Sequence, residues 1–400
     1  MKKRSGSYPR VRVEGGGRGV VSQSGAVLLV ETVRKSGLDT AISAALTPWR
    51  KPRAVHDPGK ILLDVALAVV LGGDCLADVG MLRAEPAVFG PVAFDPTVSR
   101  LIDALAASGP KALGAIRGAR SEVRERVWEL AGESSPAADG QVIVDIDGVL
   151  VLAHSEKQDV TPTWKKTFGH HPLVAFVDHG QAGSGEPVAA LLRPGNAGSN
   201  TAADHIETAQ LALAQLPKRL RRGRQTLIRT DSGGGTHAFL DWLSRRGRWL
   251  SYSVGMTITD AIHQAVLKIP KKAWTPAYDA GGSERPGAWI AEITDMPDLS
   301  AWPTGMRLLV RKNARTPAPS CASPTSTATG SPASPPTPKA ASSPTSNCAT
   351  ADGPAARTAS ETPAPPACAT CPCTTPPRTR SGWRSSPSRS TSSPGCRCSH

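Results

Sequence analysis

The chain has 400 residues, and 47 Lys and Arg against 33 Asp and Glu give it a formal charge of +14. That balance favours a polyanionic partner, nucleic acid before membrane. The length allows two or three domains with a sizeable core, while no uninterrupted apolar segment can span a bilayer and no apolar stretch follows Met1-Lys-Lys-Arg to make a secretory signal, so the cytoplasm is the expected compartment.

Residues 1–20 are basic and Gly-rich and predict a flexible arm. Gly25–Ser36 and Leu38–Leu46 carry apolar residues at helical spacing. Lys60–Leu71 is apolar almost all round, as a buried helix is. Gly72-Gly73 separates it from a further helical pattern over Asp74–Leu82. Asp95-Pro-Thr-Val-Ser-Arg100 opens the next helix, with Asp95 as the expected N-cap and Pro96 in the first turn. Thr97, Ser99 and Arg100 then sit where a helix-turn-helix recognition helix carries its DNA-contacting side chains, although a packing helix with a solvated first turn explains the same residues. Lys111–Leu130 predicts another helix, bearing Arg117, Arg120, Arg124 and Arg126. Residues 21–132 are therefore expected to form an all-helical DNA-binding domain.

Glu133–Gly140 is polar and turn-rich, and the β-branched run that follows predicts a strand over Gln141–His154. Asp145 and Asp147 interrupt it at a spacing that puts both on one face. Two carboxylates beside a buried strand need a metal ion or a basic side chain on them. One alternative is a divalent-metal site for phosphoryl chemistry, with oxygen ligands suited to Mg²⁺. The other is one capping and one ion-paired aspartate.

His171–Val177 and Pro187–Arg193 read as strands of an antiparallel hairpin turning through Gly180–Glu186. A helix over Asn200–Leu216, a basic run Lys218–Arg224, a strand Gln225–Thr230, a helix Thr236–Arg246 and a strand Trp249–Val254 complete a mixed α/β sheet with flanking helices over 133–312. Asp231-Ser-Gly-Gly-Gly235 falls where a strand gives way to a helix. Asp231 would reach the sheet edge, and the glycines would let backbone N–H groups approach a phosphate; a plain turn is the alternative. Lys157, Lys165, Lys166, Arg221 and Arg222 are candidate phosphate contacts or ordinary solvated charges.

From Asn313 to His400 there is no Val, Ile, Leu, Met, Phe or Tyr. Nothing in this tail offsets chain entropy by burial, so 313–400 is expected to be disordered. Cys75 stands alone before it, and the remaining cysteines lie within it. Cys368, Cys371 and Cys373 have zinc-like spacing but no folding framework around them.

Asp145-Ile-Asp147-Gly-Val resembles the first motif of haloacid-dehalogenase-type phosphatases, which implies Asp145 as nucleophile and Asp147 as general acid. A longer resemblance rests on Pro48–Lys60, Gly72–Asp78, Asp95–Arg100, His154–Lys157, Phe168–Leu173 and Arg229–Gly233, taken in order. Together these strings resemble insertion-sequence transposases of the IS1380 group. The resemblance implies an RNase H-like core with a DDE triad, Asp147 as first acid with Asp145 the fallback, and Asp231 as second. It further implies two Mg²⁺ ions, double-stranded DNA (terminal inverted repeats and target) as partner, a homodimer in a synaptic complex, and association with the nucleoid.

No convincing third acid follows Asp231, since Glu284, Glu292, Asp295 and Asp298 lie on no long helical pattern. The tail has the composition of a GC-rich gene read out of frame. With each codon taken from the last base of one residue and the first two of the next, Ala367–Arg384 can spell a segment resembling the family's C-terminal helix. Ala356–Thr362 can likewise spell one resembling the stretch that bears the third acid, hiding a Glu codon at the Ala356/Arg357 boundary. The expectation is a transposase lacking a complete triad, or a DNA-binding remnant that inhibits an intact copy.

Overall fold

The computed structural model describes residues 8–10, 24–153, 157–180, 185–245, 247–279 and 282–313, together with the backbone of 325–330. The amino-terminal part is helical: α1 (Ala26–Ser36), α2 (Leu38–Ala45), α3 (Pro58–Val70), α4 (Asp95–Ser108) and the long α5 (Pro110–Ala131). Their apolar faces meet in one cluster that includes Val30, Ile42, Leu46, Leu67, Leu82, Phe89 and Val98. Each such fully buried side chain contributes roughly 1.5–3 kcal/mol relative to exposure. At α3, Asp57 caps the helix by accepting from the Lys60 N–H, and Lys60 Nζ lies 2.8 Å from Asp64 in a buried ion pair. The Tyr8 hydroxyl also donates to Asp64 at 2.9 Å, which fixes this point of the basic arm on the helices.

Two local expectations fail for identifiable reasons. The N-cap of α4 is Phe94, without a side-chain hydrogen bond, because Asp95 is inside the first turn and ion-paired to Arg83 at 2.8 Å. Asp74–Leu82 is not one helix. The Asp78 carboxylate accepts from the N–H groups of Asp74 and Cys75, which winds Leu76–Val79 into a 3₁₀ turn before the short helix Gly80–Arg83.

The rest is built on a nine-stranded mixed sheet. Its strands in chain order are β1 (Val142–Gly148), β2 (Leu173–Val177), β3 (Glu186–Leu191), β4 (Thr226–Thr230), β5 (Ser251–Met256), β6 (Thr275–Tyr278), β7 (Glu284–Glu292), β8 (Met306–Asn313) and β9 (Thr325–Gly330). In space they run β3-β2-β1-β4-β5-β9-β8-β7-β6. The first three pair antiparallel, β4 lies parallel to β1, and β5 parallel to β4. Helix α6 (Ala202–Gln215) joins β3 to β4, and α7 (His237–Ser244) joins β4 to β5; α8 (Asp260–Leu267) follows β5. An antiparallel hairpin extended by strands parallel to its first member is the RNase H-like arrangement, so the expected fold class holds. Val144, Ile146 and Ile228 sit at 0–1% exposure beneath α6, in one core with Ala209, Leu213 and Leu216.

The strand expected over Gln141–His154 ends at Gly148. Residues Val151–Leu152 instead join Thr161–Pro162 and Phe168–His170 in a separate three-stranded sheet. Gly148 is where the chain turns past His171: a Cβ there would stand 2.8 Å from the imidazole Nε2. At the other end, Thr325–Gly330 was expected to be disordered and is a strand, paired antiparallel with both β8 and β5. Its alternating threonines suit an extended backbone, and its N–H and C=O groups fill the gap between two neighbours. The remaining tail, including Ala356/Arg357 and the Cys368–Cys373 motif, and most of the 1–20 arm lie outside the described residues. Among the described residues, no helix is long and apolar enough to cross a membrane.

Candidate active site

In the parallel pair β1–β4, Asp145 is in register with Arg229 and Ile146 with Thr230. Paired residues of parallel strands project on the same side, and neighbouring strands lie about 4.8 Å apart. Asp147 and Asp231, one step beyond the Ile146–Thr230 pair, therefore emerge together at the carboxyl edge of the sheet. Both border a cleft of about 900 Å³, whose wall also includes His171, Arg193, Trp164 and Lys165.

The backbone holds both carboxylates. Asp147 accepts from the Gly148 N–H at 2.7 Å, and Asp231 accepts from the Gly233 N–H at 2.8 Å. Burial pushes the Asp147 carboxyl above the usual carboxylate range, and the charges of Asp231 and then Asp145 push it the same way. Two like charges bordering one cleft, Asp147 half-buried and Asp231 exposed, leave a deficit of positive charge. A divalent cation with oxygen ligands fits that donor set.

The glycines after Asp231 do not present amides to the cleft as expected. Gly234 and Gly235 donate to the carbonyls of Asp231 and Ser232, and a Cβ would meet Thr230 Oγ1 at 2.2 Å from Gly234 and the Gly255 carbonyl at 2.6 Å from Gly235. They are small so that the turn can pack against β4 and β5.

Asp145 stands apart from the acid pair. Its two oxygens receive Nε and one terminal nitrogen of Arg229 at 2.5 and 2.7 Å, and Arg229 also reaches Asp178 at 3.0 Å. Sequence spacing offered Asp145 and Asp147 as equals. Arg229, seen only as part of a motif, and Asp178, not singled out at all, separate them.

Of the candidate basic residues, Lys165 borders the cleft, with its ammonium 5.0 Å from the Trp164 ring centre. Lys157 and Lys166 are exposed, and Lys166 occupies a tight turn at φ 58°. Arg221 donates to the Leu216 carbonyl at 2.8 Å and to Ser121 at 3.1 Å, a contact between α5 and the end of α6, while Arg222 is exposed. At the start of α4, Arg100 donates to Thr97 at 3.2 Å, and Ser99 and Arg100 are exposed. Sequence reasoning missed His171 and Arg193 as wall residues. Arg193 Nε donates to the His171 carbonyl at 2.9 Å, and its terminal nitrogen pairs with Asp204 at 3.0 Å.

No third acid joins the pair among the described residues. Glu292 is taken by Arg307 at 2.7 Å, Asp298 caps the Ser300 N–H, and Glu284 is exposed on β7. The one described trio of potential ligands with mutually close atoms is Asp74, Cys75 and Asp78, on the exposed turn before Gly80–Arg83.

No curated protein matches the chain. Among solved structures it is similar to a piggyBac transposase, determined by cryo-EM in a synaptic complex with hairpin DNA, at 12% identity and a TM-score of 0.31. That similarity covers 76% of this chain and 59% of the other, so the chain spans less than two thirds of that relative's length. The family model for the transposase DDE domain, group 1, matches residues 3–321, most of the sequence, and the chain belongs to that family.

Proposed function

We propose that the protein is the DNA-cleaving and strand-transferring type of transposase, of the IS1380 group, with Asp147 and Asp231 as its first two catalytic acids. The observation that carries this is the emergence of both carboxylates from adjacent parallel strands into one cleft, with Asp145 withdrawn by Arg229. Mg²⁺ is the proposed cation, two ions in an intact site. Held by these acids, it would supply Lewis-acid stabilisation of charge on a phosphodiester and its displaced oxygen. Lys165 at the cleft, with Lys157, Lys166 and Arg222 outside it, would neutralise backbone phosphates of double-stranded DNA, both terminal inverted repeats and target. Thr97, Ser99 and Arg100 are proposed as contacts of the helical part with the repeats. A homodimer in a synaptic complex and residence with the nucleoid belong to the same proposal.

The third acid is proposed to be lost to an out-of-frame tail, with its codon hidden at Ala356/Arg357. This chain would then bind repeat DNA without transposing, and could inhibit an intact copy. Two observations count against the phosphatase alternative. Both oxygens of Asp145, its required nucleophile, are engaged by Arg229, and the strand beside β1 on one side is antiparallel.

The test uses the full chain with Mg²⁺ and DNA carrying the terminal inverted repeats of its own element. A gel shift without strand joining is expected. Robust joining would overturn the incomplete triad, and turnover of small phosphomonoesters that stops in Asp145→Asn would revive the phosphatase. Sequencing the gene checks the cause of the tail: an intact frame through an unrelated codon set removes it.

A further inference from the structure

We infer that Arg229 is a positioning residue that sets the ligand number of the cation site, by holding Asp145 in a fork and leaving Asp147 and Asp231 alone to face the cleft. The inference rests on the proposed cation-holding role of those two acids.

Asp145 and Asp147 lie on β1 and Asp231 directly follows β4, with Arg229 in register opposite the first of them. Asp145 and Asp147 share a strand face, so a released Asp145 could turn its carboxylate toward the pair. The fork prevents this. Arg229 contacts both Asp145 oxygens, and the terminal nitrogen that donates to Asp145 also donates to Asp178, so the guanidinium is held by two carboxylates. The Arg229 side chain is 13% exposed, which makes the ion pair less screened than a surface one. Lysine could not reproduce the arrangement, because a point charge does not span both oxygens of a carboxylate while reaching a second acid. The fork also keeps a full positive charge two residues before Asp231, opposite Asp145. That charge offsets Asp145 and tempers the attraction of the site for cations in general.

Mn²⁺ titration of the full chain, followed by its paramagnetic signal, tests this without any DNA reaction. Asp147→Asn and Asp231→Asn should each abolish the binding. If they leave it unchanged, the cation-holding role falls, and this inference falls with it, on a result that does not involve Arg229. With those controls in order, Arg229→Met should tighten Mn²⁺ by about tenfold, because it frees a third carboxylate. Asp145→Asn should weaken it by roughly fivefold, because it leaves Arg229 unbalanced. The double variant should return to within about twofold of the parent. A purely structural ion pair would lower the unfolding midpoint in all three and shift affinity in none; that outcome, or a double variant no closer to the parent than the singles, overturns the inference. Should Arg229→Met fail to fold, Arg229→Lys carries the test, with a smaller tightening of the same sign expected and an unchanged affinity counting against it.

Discussion

The indole N–H of Trp128, near the end of α5, donates to the Glu186 carboxylate on edge strand β3 at 3.2 Å. Arg124, one helical turn earlier, forms an ion pair with the same carboxylate, and His179 approaches its other side at 3.1 Å. One acid thus fastens the last turns of the amino-terminal helices to the nine-stranded sheet. Glu186→Gln keeps the shape and removes the charge that Arg124, 6% exposed, is paired with. A loss of about 2 kcal/mol is expected in urea unfolding. The acid limb provides a second check. Burial alone would raise the Glu186 carboxyl, but Arg124 and the hydrogen bonds bring it below its ordinary 4.5. Its stabilisation is therefore complete above that value and lost as pH falls through the lower folded value, so parent and variant should converge in acid.

At Asp147 the sign is reversed. Its carboxyl is raised by burial and by Asp231, so the folded chain holds that proton more tightly than the unfolded one. Stability on this account is highest below the ordinary 3.8 and falls as pH rises through the elevated folded value. In EDTA at pH 7, Asp147→Asn should therefore melt higher than the parent, by roughly 2–4 °C. Adding Mg²⁺ should raise the parent and leave the variant nearly unmoved. A variant that melts lower in EDTA would mean that the Gly148 hydrogen bond outweighs the repulsion.

The strand Thr325–Gly330 fills a slot that would otherwise leave β5 and β8 with facing unpaired edges. A chain ending at residue 324 should expose both. Amide exchange at Val254 and Val310 should then speed up markedly, and the protein should associate through the open edges. If the shortened chain keeps the parent's protection at both positions, the strand contributes nothing to the sheet.

What could be read in the sequence tracks how local each signal was. The β1 run announced itself through four β-branched residues around two acids, and the β2–β3 hairpin through Gly180–Glu186, because both depend on neighbours along the chain. The acid pair was legible for the same reason: each aspartate ends a short apolar strand. The N-cap of α4 differs from the local expectation because Arg83, twelve residues upstream, claims Asp95. The choice between Asp145 and Asp147 depends on Arg229, 84 residues away, and no local pattern carries it. The strand β7 carries little signal in the sequence, because Glu284–Glu292 contains a bulge and its inward positions include alanines. Thr325–Gly330 has no large apolar side chain, so its composition predicts disorder. Its pairing is by backbone, which composition does not register.

Lys165 is the candidate phosphate contact that borders the same cleft as the acid pair, while Lys166 is exposed in a turn of positive φ. If Lys165 neutralises one backbone phosphate, Lys165→Ala should lower DNA affinity by a similar factor for any sequence and reduce the slope of log affinity against log salt by about 1. Arg100→Ala, on the exposed first turns of α4, should instead cost about 1–3 kcal/mol for repeat DNA and little for unrelated duplex if the helix reads bases. Anisotropy titrations of both variants across a salt series separate the two kinds of contact. Equal losses on repeat and unrelated DNA for Arg100→Ala would reduce α4 to a backbone contact, and an unchanged salt slope for Lys165→Ala would mean that the cleft takes its phosphate through other donors.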